Sequence, residues 1–339
     1  PGTGVVPVIP NYASLSYGAF AIQRFQRDAW LLEVGVRYDY KYLNADGYDM
    51  YSQRYGGEHN FHNFTYTLGG TMPLSRVSQL KSNIGVAWRA PQVNELYSSG
   101  LHHGAGTYDL GDDKLESETG VKWVTSLLLN NENKRWNVNL DLYIQYIKNY
   151  IYDYPTGEVQ TLFSGVYPIF QYTQANAFFR GADLDATVRL LNKNRVAQVG
   201  NPTSLDYHLK ASVVWANEVK TGRYFPFIPA PRLSQSLEYN KTHRNSLLSR
   251  MSASIGHTFV AKQTRFEPSQ ELVPTTPDAY HLFEASIGGT LDIGKRQTLD
   301  IRLSAENLFN TEYKEYTNRF RYYAHDLGRN VYLRINYNF

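Results

Sequence analysis

A period of two runs through this chain and leaves few folds open to it. Trp136, Val138, Leu140, Leu142, Ile144 and Tyr146 alternate with Asn137, Asn139, Asp141, Tyr143 and Gln145. Trp30, Leu32, Val34, Val36 and Tyr38 alternate with Glu33, Gly35, Arg37 and Asp39. Leu205, Tyr207, Leu209, Ala211, Val213 and Trp215 alternate with Asp206, His208, Lys210 and Ser212. Successive side chains of a strand point to opposite faces, so each segment carries one apolar and one polar face. A helical stripe would repeat every 3.6 residues instead. The apolar rows often close on Trp or Tyr, which suit a membrane–water boundary.

Composition narrows the class further. No stretch of about 18 apolar residues occurs, which excludes a bundle of membrane-spanning helices. Yet 42% of the 339 residues are apolar, too many for a disordered chain. A content of 28 Tyr and 14% aromatics, in a chain polar on average, suits a transmembrane β-barrel. Such a barrel carries its membrane signal in every second residue. The absence of Cys removes a disulfide scaffold, a thiolate zinc site and a thiol nucleophile together. A net charge of +3 gives no case for nucleic acid as a partner.

About thirteen such segments can be counted, near 14–26, 29–43, 60–72, 78–90, 117–130, 134–149, 167–191, 204–217, 228–240, 246–260, 280–292, 297–309 and 330–339. Their connections alternate. Short polar turns are expected near 26–28, 73–77, 131–133, 241–244 and 294–296, with an intermediate one at 192–203. Long loops are expected at 44–59, 90–116, 150–166, 218–227, 261–279 and 310–329. Short turns on one rim and long loops on the other is the plan of an outer-membrane barrel. Two places fit poorly. Arg180 falls on the apolar parity beside Phe178 and Ala182, so it either snorkels or a bulge near Gly181 resets the register. The stretch 218–231, with Pro226, Pro229 and Pro231, reads weakly as strand.

Three short boxes carry a family resemblance. Trp88-Arg89-Ala90-Pro91-Gln92-Val93-Asn94-Glu95-Leu96-Tyr97 resembles the "RAP…EL" box that opens a long loop in TonB-dependent outer-membrane receptors. Gly111-Asp112-Asp113-Lys114-Leu115-Glu116-Ser117-Glu118 resembles the family's next box, in which an acidic residue precedes a strand. Glu306-Asn307-Leu308-Phe309-Asn310-Thr311-Glu312-Tyr313 is similar to its penultimate-strand box. The chain then ends on an amphipathic strand and Phe339, like the assembly signal of bacterial outer-membrane barrels. The order and spacing cover 88–339, while 1–87 agrees in strand pattern alone.

The resemblance implies an all-β, 22-stranded transmembrane antiparallel barrel occluded by an N-terminal plug that contacts TonB. At about 26 residues per strand with its connection, twenty-two strands need roughly 570 residues. Residues 1–339 are therefore expected to be the C-terminal part, with plug and early strands outside this sequence. The opening Pro-Gly-Thr-Gly likewise puts any export signal outside it. Thirteen strands left open in lipid would carry two unpaired edges, so either the missing strands sit in another chain or the remainder was lost or is not included in this sequence. The implied function is uptake of a scarce nutrient through the outer membrane of a Gram-negative bacterium. Ferric siderophore, haem, zinc or another metal complex would be cargo rather than intrinsic cofactor. Lipid, lipopolysaccharide and the TonB system would be partners. The alternatives are a passive porin or adhesive barrel, and a secreted all-β carbohydrate-binding or hydrolytic protein.

Candidate ligand residues lie in two expected loops: His59 and His62 in one, and Tyr97, His102, His103, Tyr108, Asp112 and Asp113 in the other. Imidazole and carboxylate on one rim suit zinc or haem iron. Adjacent His side chains in extended backbone diverge, so His102 and His103 fit a single ion poorly, and solvated loop residues are the plain alternative. Loop aromatics such as Tyr316, Phe320, Tyr322, Tyr323, Phe225 and Phe227 either stack on a flat chelate or pack the loops together. Inward charges including Arg37, Asp141, Asp183, Asp185, Arg189, Arg302 and Arg334 either guide a hydrated solute or neutralise one another. No G-x-S-x-G elbow, HExxH or P-loop occurs, so no enzyme chemistry is expected.

Overall fold

The computed structural model describes residues 8–48, 53–131, 133, 135–193, 202–243, 246–294 and 297–339. Parts of four of the expected short turns and of the 44–59 loop fall outside them. The strands are, in chain order, β1 (Asn11–Arg27), β2 (Trp30–Tyr48), β3 (Arg54–Pro73), β4 (Ser78–Arg89), β5 (Ser99–His102), β6 (Thr107–Leu110), β7 (Glu118–Asn130), β8 (Trp136–Leu162), β9 (Gly165–Lys193), β10 (Thr203–Glu218), β11 (Arg232–Thr242), β12 (Leu248–Val260), β13 (Tyr280–Asp292), β14 (Thr298–Glu306) and β15 (Asn330–Asn338). Thirteen of them pair antiparallel, neighbour to neighbour, from β1 to β15. The short β5 and β6 form a hairpin inside the β4–β7 connection, and β6 adds in parallel to β9. The sheet is open: among the described residues, β1 and β15 have no partner on their outer edges.

The register keeps the two faces chemically separate. One cross-strand row runs Val34, Leu68, Ile84, Trp123, Ile144, Arg180, Trp215. The row behind it on the other face includes Thr71, Lys81, Ser126, Asp141, Asp183, Ser212 and Arg232. The apolar face is uncovered. Phe64, Tyr66, Val36, Leu142 and Ile144 all keep a large part of their surface exposed. Among the described residues no second sheet packs over these rows, so the arrangement is not a sandwich. An uncovered apolar band of this size is stable where lipid covers it. Among the described residues no helix is long and apolar enough to cross a membrane.

Buried side chains gather instead at the long-loop end. One cluster joins Leu43, Ala45, Val93, Leu96, Tyr97, Leu115 and Ile151. A second joins Ala177, Ala216, Phe225 and Ile228, and a third Ala230, Val260 and Tyr280. Each packs a long connection onto upper strand ends.

Two expected loops are largely strand. β8 and β9 continue to a hairpin tip at Phe163 and Ser164, where a loop over 150–166 was expected. The reason is a bulge: pairing shifts between Ile147 and Tyr150, with Asn149 at φ 59° and its N–H held by Asn176 Oδ1 at 3.0 Å. The extra residue reverses the parity, and the alternation that marks a strand breaks there. β2 and β3 likewise run on to Tyr48 and from Arg54. No register shift lies at Gly181. A Cβ there would meet the Tyr143 ring at 2.3 Å, so the glycine admits an aromatic lying across the sheet.

Leu142 lies in mid-strand on the apolar face, beside Ala182 and Thr125. In a bilayer Leu142→Arg should cost about 2–4 kcal/mol in urea-unfolding stability, whereas Ser212→Lys on the polar face, opposite Asp183, should cost within about 0.5 kcal/mol. Equal costs would overturn the assignment of the faces.

Candidate functional site

The long-loop rim is built on three clamps, and the sequence boxes supply them. Pro91 ends β4 and starts helix α1 (Val93–Tyr97), whose Glu95 accepts from the Gln92 N–H at 2.7 Å. Arg89 Nη1 donates to both Glu95 oxygens at 2.8 and 2.7 Å. Its Nε and Nη2 donate to Glu118 at 3.1 and 2.8 Å, and Glu118 Oε1 also accepts from Ile151 N at 2.6 Å. One guanidinium thus ties the end of β4, helix α1 and the start of β7 together, and Glu118 adds β8. Leu96 fills the adjoining cluster.

The glycine-acid box closes the same connection. Gly111 lies against the helix: a Cβ would stand 2.5 Å from the Leu96 carbonyl. Its N–H donates to Ser98 O at 2.7 Å and that of Asp112 to Glu95 O at 2.9 Å. Asp112 Oδ1 then caps Lys114 N at 3.0 Å. In the third box the buried Asn307, at φ 44°, donates from its side chain to Thr311 O at 2.8 Å and Leu327 O at 3.3 Å, and accepts from Thr311 N at 2.7 Å. Asn310 holds Arg329 N at 2.8 Å, so the β14–β15 connection is pinned at both ends. Leu308 N donates to Phe283 O at 2.8 Å, and Phe309 packs edge-on against Phe283. Ala90 is buried beside the helix, while Phe339 is exposed and stacks on Tyr337. These residues hold loops.

The candidate ligand residues are brought together in part. His59 and His62 lie in β3, not in a loop, and the odd spacing puts them on opposite faces. His62 accepts or donates to the Tyr38 hydroxyl at 2.8 Å in the aromatic row of the apolar face. His59 turns to the polar side, where its Nε2 meets the Tyr97 hydroxyl at 2.6 Å and its ring stacks on Phe61. Burial holds His59 below its ordinary pKa, against an upward pull from Asp113, and burial with Asp113 raises Tyr97. The β5–β6 hairpin separates the other pair. His102 Nδ1 meets Asp109 at 3.0 Å, and Asp109 also accepts from Thr107 at 2.6 Å, while His103 is exposed at the tip. Tyr108 is buried beneath them, next to Ile169 of β9. Among the described residues no group of three or more His, Asp or Glu is arranged to hold a metal ion.

A latch of the β14–β15 connection was not read from the sequence. Buried Arg321 pairs with buried Glu271 from the 261–279 connection. Glu271 also accepts from the Tyr316 hydroxyl and from that of Tyr322, the latter at 2.7 Å. Arg321 stands over the rings of Tyr316, Tyr322 and Phe227. Arg319 pairs with Asp153 of β8 and stands over Phe170 and Phe227. Burial raises the Asp153 pKa, with Arg319 opposing. Beyond the latch, the Tyr323 hydroxyl reaches Gly106 O at 3.4 Å, so the connections 307–329 and 90–117 meet across the polar face. The loop aromatics Tyr316, Tyr322, Phe225 and Phe227 therefore pack loops together. On the polar face Arg37–Asp39 and Arg189–Asp206 neutralise each other at 2.5 and 2.7 Å, and Lys210 stands 3.5 Å from Asp185. Arg302 donates instead to the Ser286 and Ser252 hydroxyls at 3.1 and 3.2 Å. Beneath the 307–329 connection a cavity of about 390 Å³ is lined by Arg232, Tyr280, Glu284, Glu306 and Glu315 among others.

Comparison with known proteins places the chain. The family model described as TonB dependent receptor-like, beta-barrel matches residues 2–308. Among solved structures, the copper transporter OprC superposes with a TM-score of 0.71 at 18% identity, over 96% of this chain and 48% of that one. The FrpB iron transporter from Neisseria meningitidis (F3-3 variant) gives 0.66 at 14% identity, over 96% and 46%. The ferric yersiniabactin uptake receptor FyuA from Yersinia pestis gives 0.60 at 13%, over 95% and 44%. The chain spans about half the length of these structures.

Removing the Arg89 guanidinium takes from Glu95 and Glu118 the cation they share. Arg89→Ala should destabilise the α1 connection by about 2 kcal/mol, read as faster amide exchange over 93–97 with the sheet unchanged. His59 gives a pH dependence. Its charged form is disfavoured in the fold, so the unfolded chain takes the proton first as pH falls. The stability it contributes should be complete above its ordinary value of 6.5 and be lost on acidification below that. The protection factors of the amides over 93–97, with the intrinsic exchange rate at each pH divided out, should therefore fall between about pH 7 and 5 in the parent and not in His59→Phe.

Proposed function

We propose, for a chain that belongs to the TonB-dependent receptor family, that it forms the larger part of the wall and the external loop canopy of an outer-membrane importer of a scarce metal complex. Copper, iron and ferric siderophore are the cargoes named for its structural neighbours, and haem is of the same chelate class. The observation that carries this reading is the contact of the 307–329 and 90–117 connections across the polar face. A passive porin keeps its lumen open to diffusing solutes. A roof latched by Arg319, Arg321, Asp153 and Glu271 suits a receptor that holds a bound cargo and admits it by an energised step.

Residues 1–339 would be the C-terminal portion of the barrel. In lipid, the free edges of β1 and β15 would each leave a row of unpaired amides, so further strands must meet them. The plug, and contact with TonB, would come from the rest of the protein. Among the residues here, His103 at the hairpin tip, with His102 and Tyr323 nearby in the canopy, would meet a chelate first. Asp112 and Asp113 would support it from the α1 connection, one by holding the turn and the other by its field on His59 and Tyr97. The lipid-facing rows would be covered by phospholipid and lipopolysaccharide. The family members named above are transporters, and no covalent step is part of this reading.

The test is growth of a strain lacking the gene, supplied in turn with defined ferric siderophore, haem, copper, zinc and cobalamin sources, with and without a protonophore. The expected result is a defect on one metal source, restored by the full-length gene and abolished again by the protonophore. Unchanged uptake of every source, or uptake indifferent to the protonophore, would overturn it.

A further inference from the structure

Arg180 and Arg265 meet over one indole ring on the apolar face. Arg180 sits between Phe178 and Ala182 in β9 and pairs across the ladder with Ile144 and Trp215, its guanidinium 6.0 Å from the Trp215 ring centre. Arg265 comes from the 261–279 connection and stands 4.9 Å from the same ring. It is held there by Gln263, which accepts from Arg265 N at 3.0 Å and donates to Ile228 O at 2.8 Å and Pro229 O at 3.2 Å. Arg37, Arg89, Arg189, Arg232, Arg319 and Arg321 each hold a carboxylate. Arg180 and Arg265 hold none among the described residues; the ring is what they share.

Their height on the sheet matters. Thirteen residues of β9 lie between Arg180 and the short-turn end at Lys193. At about 3.3 Å per residue and about 40° of tilt this is roughly 33 Å, above an apolar band about 25 Å tall. Tyr146, Phe178 and Trp215 surround this level, as expected of residues at the headgroup boundary. Two cations close together repel, and a guanidinium fork matches phosphate oxygens in pairs. Burial, joined by the charge of Arg180 and opposed by Tyr224, holds Arg265 below its ordinary pKa.

We propose that Arg180, Arg265 and Trp215 form a binding site for a phosphorylated lipid headgroup of the outer leaflet. The site opens sideways, toward lipid and away from the polar face, so it is separate from any cargo path. It rests on the membrane reading of the two faces and not on the identity of the cargo.

The full-length protein, extracted in mild detergent, tests it by native mass spectrometry. Delipidated protein is titrated with bis-phosphorylated lipid A, with the same lipid freed of phosphate, and with inorganic phosphate. Arg180→Ala with Arg265→Ala should weaken binding of the phosphorylated lipid at least tenfold and leave that of the dephosphorylated lipid unchanged. The double Lys variant, which keeps charge without the fork, should fall between. Arg265→Gln alone changes a loop residue and serves if the double variant does not fold, with a several-fold loss expected. Equal binding of both lipids, equal binding by parent and variant, or inorganic phosphate competing at the lipid's own concentration would each overturn the site. A parent protein whose gel migration is the same before and after boiling would overturn the barrel reading instead.

Discussion

A backbone amide in hydrocarbon has no water to bond, and the rest of this structure answers to that constraint. Thirteen strands meet it by pairing with their sequence neighbours in one continuous antiparallel ladder. Once the ladder is set, the pleat separates the side chains: Leu142 and Ile144 go to one face, Asp141 and Gln145 to the other. The apolar face has no partner layer among the described residues, and a band of this kind is stable where lipid covers it. Protein core is accordingly sparse in mid-sheet and concentrated under the long connections.

Those connections cannot rely on lipid, and they are held by a different chemistry. Charged and amide groups, each satisfied several times over, replace apolar burial as the organising force. Arg89 binds two glutamates, Asn307 reaches two carbonyls and one N–H, and Glu271 gathers an arginine and two phenols. A half-buried ion pair adds little net stability over an apolar substitute, but it tolerates no alternative arrangement. Such clamps hold the long connections in one shape. The residues of the three boxes anchor these connections.

The outer wall is not uniformly apolar. It carries Tyr38 with His62, and Tyr207 with Gln235 and His257, each joined by hydrogen bonds. His257 in turn reaches His281 at 2.9 Å. Polar groups in pairs can face either water or headgroups without leaving a donor or acceptor empty. Arg180 and Arg265 depart from that pattern in having charge but no acidic neighbour.

The strands, their two faces and the sorting of long from short connections were legible in the residues, because a period of two is a local property that each segment states for itself. The three boxes also located the clamps in sequence. What local pattern could not show was where the period breaks. A bulge at Asn149 sent β8 and β9 beyond their expected ends, and the spacing of His59 and His62 placed a supposed pair on opposite faces. Nor could it show Glu271 meeting Arg321, fifty residues away, or Tyr323 reaching Gly106, since neither contact has a sequence period. Residue order thus determined the ladder and what each side of it touches. The roof was decided by tertiary structure alone, because long-range ion pairs exist only after the ladder has set the distances between loops.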